Sequence, residues 1–200
     1  MPDKGNVMDS PSGNIFQDHL DILLNNMDSL PDSITPATEL IVSTILNDRK
    51  IFSCGNGFGG TLAQLFCQQL LNQMNQERPA LPAFCLNDSA TTISGISHKY
   101  KFNEVYSRQV RALGLPGDCL VIIDSNQQYS NLNAAIQTAH DRDMSVIVIH
   151  PHNSQNILSL LDDKDIAIGI ECDNPAVLLQ IELLVITAIN NSIEQTLFNH

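Results

Sequence analysis

Cys54-Gly55-Asn56-Gly57-Phe58-Gly59-Gly60 lies between a short run, Lys50 to Ser53, with strand character and a helix-patterned run from Thr61 to Met74. Glycines let such a junction turn tightly, and the opening turn of a helix adds free N–H groups and partial positive charge, so the chemistry it offers is anion binding. A strand-to-helix connection also needs this loop on steric grounds alone, and the spacing leaves both readings open. Other residues able to do chemistry are scattered. His140, His150 and His152 fall near the ends of a helix and a strand, and His150-Pro151-His152 reads as a strand-end loop, without the carboxylate partner a metal centre needs. Asp141, Asp143, Asp162, Asp163, Asp165, Glu171 and Asp173 match no calcium-loop template and read as turn and edge charges. Cys54, Cys67, Cys85, Cys119 and Cys172 have no CxxC spacing and are odd in number, as expected of reduced core thiols. Neither a metal nor a cofactor is expected.

The elements that must position the glycine loop follow from periodicity. Residues 1–14 are poor in apolar side chains and rich in Gly, Pro, Ser and Asn, which predicts a disordered lead-in, with a single domain over 15–200. Ile15, Phe16, Leu20, Leu23, Leu24 and Met27 recur at helical spacing, and a second helix is expected from Thr38 to Leu46, after Pro31 and Pro36. Five strands are expected, at Ile51–Ser53, Ala83–Leu86, Leu120–Ile123, Val146–Ile149 and Ile166–Ile170, alternating with helices such as Leu132–Arg142. Their near-continuous Val, Ile and Leu content suits strands covered on both faces. The fold class is therefore α/β, a doubly wound five-stranded parallel sheet flanked by helices, with an N-terminal helical extension. A last helix over Ala176 to Thr196 carries a broad apolar stripe.

Composition bounds the function. The 200 residues suffice for one buried core, and a net charge of −12 argues against a surface that grips nucleic-acid phosphates directly. The first residues, Met1 to Asn6, have no basic segment leading into an apolar core, and neither a membrane span nor a secretory signal is expected. These features point to a cytoplasmic protein.

Three strings carry a resemblance: Gly55-Asn56-Gly57, Glu77-Arg78-Pro79-Ala80-Leu81-Pro82-Ala83, and Gly114-Leu115-Pro116-Gly117-Asp118 before a strand. In order and spacing they resemble the sugar isomerase (SIS) domain of the phosphoheptose isomerase family over most of 15–200. Asn103 to Gly114, Arg142-Asp143-Met144 and Thr196 to His200 resemble the DiaA-like branch of that family, the DnaA initiator-associating proteins. That branch implies a homotetramer acting as a non-catalytic scaffold, with a DnaA-type replication initiator as partner, bound in part through Leu197 and Phe198. Two large apolar side chains near a chain end also fit partner contact on general grounds.

The resemblance further implies where catalysis is expected and where it has decayed. Isomerisation needs a base and an acid that converge on the sugar. The family's His and Glu, at i and i+4 on the helix after the glycine loop, correspond to Leu65 and Gln69, which offer neither a metal-ligand pair nor a titrating base. Its second catalytic His, on the last helix, corresponds to Glu182. His98 and Lys99 stand where the family has Asn-Asp, and read as solvated surface. The phosphate turn reads Asp124-Ser125-Asn126-Gln127-Gln128-Tyr129-Ser130-Asn131, and Gly59 replaces a loop serine. Asn56, Gly57, Gly59, Ser125 and Ser130 are thus the candidate contacts for a sugar phosphate, expected to be weak. The expectation is a degenerate, non-catalytic site; the alternatives are a phosphoheptose isomerase acting on sedoheptulose 7-phosphate or a related sugar phosphate, and a sugar-phosphate sensor.

Overall fold

The computed structural model describes residues 11–125 and 130–198. Two helices, α1 (Pro11–Asn26) and α2 (Ser29–Leu46), lead into β1 (Ile51–Gly55) and α3 (Phe58–Leu71). Then follow β2 (Ala83–Cys85), α4 (Ala90–Lys99), a single 3-10 turn at Phe102–Glu104, α5 (Ser107–Leu113), β3 (Cys119–Ile123) and α6 (Ser130–Asp141). The chain closes with β4 (Ser145–Pro151), a one-turn α7 (Gln155–Leu158), β5 (Ile166–Ile170) and α8 (Pro175–Phe198).

The sheet is fully parallel in the order β2-β1-β3-β4-β5. Alternation along each strand divides the core. Ile51, Cys119, Val121, Ile123, Ile147, Ile149 and Ile168 face a layer built with α2, α3 and α8. Phe52, Leu120, Ile122, Val146 and Val148 face the opposite layer, with Val110 of α5 and Leu132, Ala135, Ile136 and Ala139 of α6. Because the order reverses between β1 and β3, the connections leaving those two strands go to opposite faces and open a crevice at their C-terminal ends.

All five expected strands are present, the fifth with the expected bounds and the others with ends displaced by at most two residues. The helix expected from Thr38 starts instead at Ser29. Pro31 falls in its first turn, where the N–H has no intrahelical partner, and Pro36 lies on the exposed face, where it removes one hydrogen bond. Burial of Leu30, Ala37 and Ile41 against the sheet outweighs that loss. The lead-in expected over 1–14 falls outside the described residues as far as residue 10, and from Pro11 the chain is helical. All five cysteines are buried and unpaired, as the spacing predicted.

The last helix is a core element. By length and composition α8 is apolar enough to cross a membrane, yet half of its most apolar window is buried in the domain. It also carries three buried polar side chains, Glu182, Asn190 and Glu194.

Candidate functional site

The glycine loop leaves β1 at the crevice. Gly57 has φ 54°, in the left-handed region where a side chain is strained. Gly59 is glycine for a different reason: a Cβ there would collide with the Ile123 carbonyl at the end of β3. The serine hydroxyl that the family resemblance expects at this position has no room, so this wall of the crevice is backbone alone. The loop is held from behind. Asn87, just past β2, donates to the Gly55 carbonyl at 2.9 Å and accepts from its N–H at 3.2 Å. The Tyr106 hydroxyl donates to the same carbonyl and receives the Asn87 amide at 2.9 Å. Across the crevice mouth, Asn56 and Asn131 exchange two amide hydrogen bonds of 2.9 Å each, tying the loop to the first turn of α6.

On the far side of β3 lies a polar cavity of about 270 Å³, lined by Ser125, Pro151, Asn153, Cys172, Asp173, Pro175 and Leu178. The Ser125 hydroxyl donates to Glu182 Oε2 at 2.7 Å. Glu182 is fully buried on α8, and its Oε1 has no hydrogen-bond partner among the described residues. Burial pushes its carboxyl up to about 7; the Ser125 hydrogen bond opposes this and the nearby Asp124 carboxylate adds to it. Glu182 is thus a group that changes charge near neutral pH, one helix turn behind the cavity wall formed by Leu178.

Leu65 is half-buried and packs against the core. Gln69 accepts a hydrogen bond from Asn190 of α8 at 2.6 Å. An alkyl side chain and an engaged amide do not fit a divalent metal. Gly57 and Ser130 are exposed on opposite banks of the crevice, while Asn126 to Tyr129 of the phosphate turn lie outside the described residues. His98 and Lys99 are exposed in the last turn of α4, as expected of solvated charges. His150 is buried, its Nδ1 2.8 Å from the Pro151 carbonyl, and burial lowers its pKa. His140, Asp162 and Asp165 come together: His140 Nε2 lies 2.7 Å from Asp165 Oδ2, and Asp165 also accepts from the N–H groups of Val146 and Asp162. Asp165 is thereby engaged in bracing a turn.

Leu197 and Phe198, expected to meet a partner, are half-buried and pack against the core, with the Phe198 ring 5.9 Å from the Arg78 guanidinium. The Arg78 side chain is itself buried. It donates to Glu194 at 2.8 Å and to the carbonyls of Gln69 and Leu70, closing the C-terminal end of α3. Sequence reasoning gave no role to Asn87, Tyr106 and Asn190, because the Gly55 carbonyl that the first two hold and the Gln69 amide that the third holds lie 32 to 121 residues away.

Residues 16–150 match the SIS domain family profile. The chain is 37% identical over 169 residues to the phosphoheptose isomerase of Chromohalobacter salexigens, a match spanning 84% of this chain and 86% of that one. It superposes on a phosphoheptose isomerase from Francisella tularensis with a TM-score of 0.89 and 30% identity, covering 92% and 96% of the two chains. The corresponding values for the phosphoheptose isomerase of Neisseria gonorrhoeae are 0.86, 29%, 92% and 97%. The chain belongs to the phosphoheptose isomerase family of SIS-domain proteins. These relatives overturn the expectation of a non-catalytic scaffold for a DnaA-type initiator: proteins alike over most of the chain carry the name of an isomerase.

Proposed function

We propose that this protein is a sugar-phosphate isomerase of the phosphoheptose type, in which Glu182 handles the proton. Aldose–ketose isomerisation moves hydrogen between neighbouring carbons and their oxygens, and it is served best by a group whose pKa lies near the working pH. The observation that carries this reading is the buried Glu182 carboxyl, pushed up to about 7 and bonded to Ser125 on the cavity wall. The names of its relatives support the substrate class, a phosphorylated sugar such as sedoheptulose 7-phosphate. Asn56, Gly57, Gly59, Ser125 and Ser130 are its candidate contacts, with backbone N–H groups at the start of α3 facing the phosphate. The test is turnover of sedoheptulose 7-phosphate by purified protein. Catalysis that the Glu182→Gln variant lacks supports the reading, and an inactive wild type overturns it.

The same reading includes a homo-oligomer, a tetramer by family resemblance. Its support is a stripe of large apolar side chains left in water along α1 and the turn after it, where Phe16, Leu20 and Leu24 on the helix and Met27 just beyond it are 52 to 70% exposed.

A further inference from the structure

Glu182 is fully buried in the ligand-free chain, and its link to the cavity runs through Ser125. Ser125 stands between them. It lines the cavity, and its hydroxyl donates to Glu182 Oε2 at 2.7 Å. It also borders the glycine loop, since a Cβ built on Gly59 would lie 3.0 Å from Ser125 Oγ.

From this geometry we infer that Ser125 is a proton relay, joining the carboxyl of Glu182 to a hydroxyl of the sugar held in the cavity. The identity of that sugar rests on the isomerase reading; the relay itself belongs to the protein. Its chemical use is ring opening, which must precede isomerisation of a cyclic sugar phosphate. The anomeric O–H bond breaks as a new O–H bond forms on Ser125 Oγ, while the proton Ser125 had held passes to Glu182 Oε2. The electron pair of the broken bond becomes the carbonyl π bond. The ring C–O bond breaks with its pair left on the ring oxygen, which takes a proton from water. Glu182 then returns its proton through Ser125 to the hydroxide so formed, and the balance closes.

The charged groups around the relay are consistent with this role. Asp124, which follows β3, raises the affinity of Glu182 for a proton, and Cys172, which follows β5, feels the Glu182 charge. His150 on β4 faces Asp124, and burial keeps it toward the neutral form. Oxygen-to-oxygen transfer across a 2.7 Å hydrogen bond needs no rearrangement of the backbone.

The experiment follows the Glu182 carboxyl itself, by infrared difference spectroscopy against Glu182→Gln, in the ligand-free protein after a rapid pH jump. In Ser125→Ala, protonation of Glu182 is expected to slow by about tenfold or more, the scale of a lost proton-transfer partner. Its titration midpoint is expected to rise by about one unit, because a hydrogen bond to the charged form is gone. Ser125→Thr, which keeps the hydroxyl, should restore both, and Ser125→Gly serves if the alanine variant does not fold. Rates equal to wild type in the alanine or glycine variant overturn the relay, even where the midpoint moves, since a merely structural bond shifts the midpoint and not the rate. An absence of sugar turnover in the wild type would refute the isomerase reading, while the pH-jump comparison decides the relay on its own.

Discussion

Asn190 donates to Gln69 Oε1 at 2.6 Å, so α3 and α8 are joined by an amide pair where the family resemblance expects one member of a titrating pair. One turn earlier on α3, Leu65 fills the other family position with an apolar side chain. Glu182, at the remaining family position on α8, lies beside Ser125 and the polar cavity. The family fold is retained, and the proposed chemistry rests on Glu182 with Ser125.

Glu182 makes stability depend on pH in a definite direction. Its folded-state value, about 7, lies above its ordinary 4.5, so between these limits the folded protein binds more protons than the unfolded chain. This group's contribution is fully present below about pH 4.5, falls as pH rises, and is lost above about pH 7, a span on the order of 3 kcal/mol. Denaturant titrations at several pH values should show that loss in wild type, and its absence in Glu182→Gln. Parallel curves for the two proteins would contradict the assignment.

Arg78 and Glu194 test the opposite case, a buried charge pair that is well satisfied. Burial alone would push the Glu194 carboxyl up, but the N–H groups of Met74 and Asn75 and the Arg78 guanidinium hold it below its ordinary range. Arg78→Ala leaves that carboxylate buried without its cation and should cost about 3–5 kcal/mol in chemical denaturation. Replacing Leu197 and Phe198 together by Ala should also lower stability, by about 2–5 kcal/mol, because both pack on the domain.

How much of this was legible in the sequence depends on the range of the interaction. The five strands announce themselves through runs such as Leu120 to Ile123 and Val146 to Ile149, because a strand covered on both faces must be apolar throughout. The extent of α2 was hidden by Pro31 and Pro36, whose local cost is real but smaller than the burial of Leu30, Ala37 and Ile41. The loop glycines were legible as a turn, while the reason for Gly59 was not, since the Ile123 carbonyl that excludes a side chain is 64 residues away. Glu182 could be identified as a family position, but its raised pKa depends on burial and on Ser125, which only the folded chain brings together.

Gly59→Ser puts the family hydroxyl back into the loop. Its Cβ meets the Ile123 carbonyl, so the variant should lose about 1–3 kcal/mol of stability rather than gain ligand affinity. Thermal unfolding with and without sedoheptulose 7-phosphate measures both quantities. Unchanged stability with tighter binding would mean that the loop can move aside.

Leu20→Glu combined with Leu24→Glu addresses the exposed stripe on α1. Both side chains are more than half exposed in the single chain, so the change should leave the fold intact. Light scattering after gel filtration is expected to report a tetramer for wild type and a smaller species for the double variant. A wild-type monomer would remove the homo-oligomer from the account.

The most direct test of the central claim is proton NMR of sedoheptulose 7-phosphate incubated with the protein in deuterated water. Wild type should wash deuterium into the carbon next to the carbonyl and form the aldose, and Glu182→Gln should do neither. Exchange that persists in Glu182→Gln, or its absence in wild type, would contradict the assignment of proton transfer to this residue.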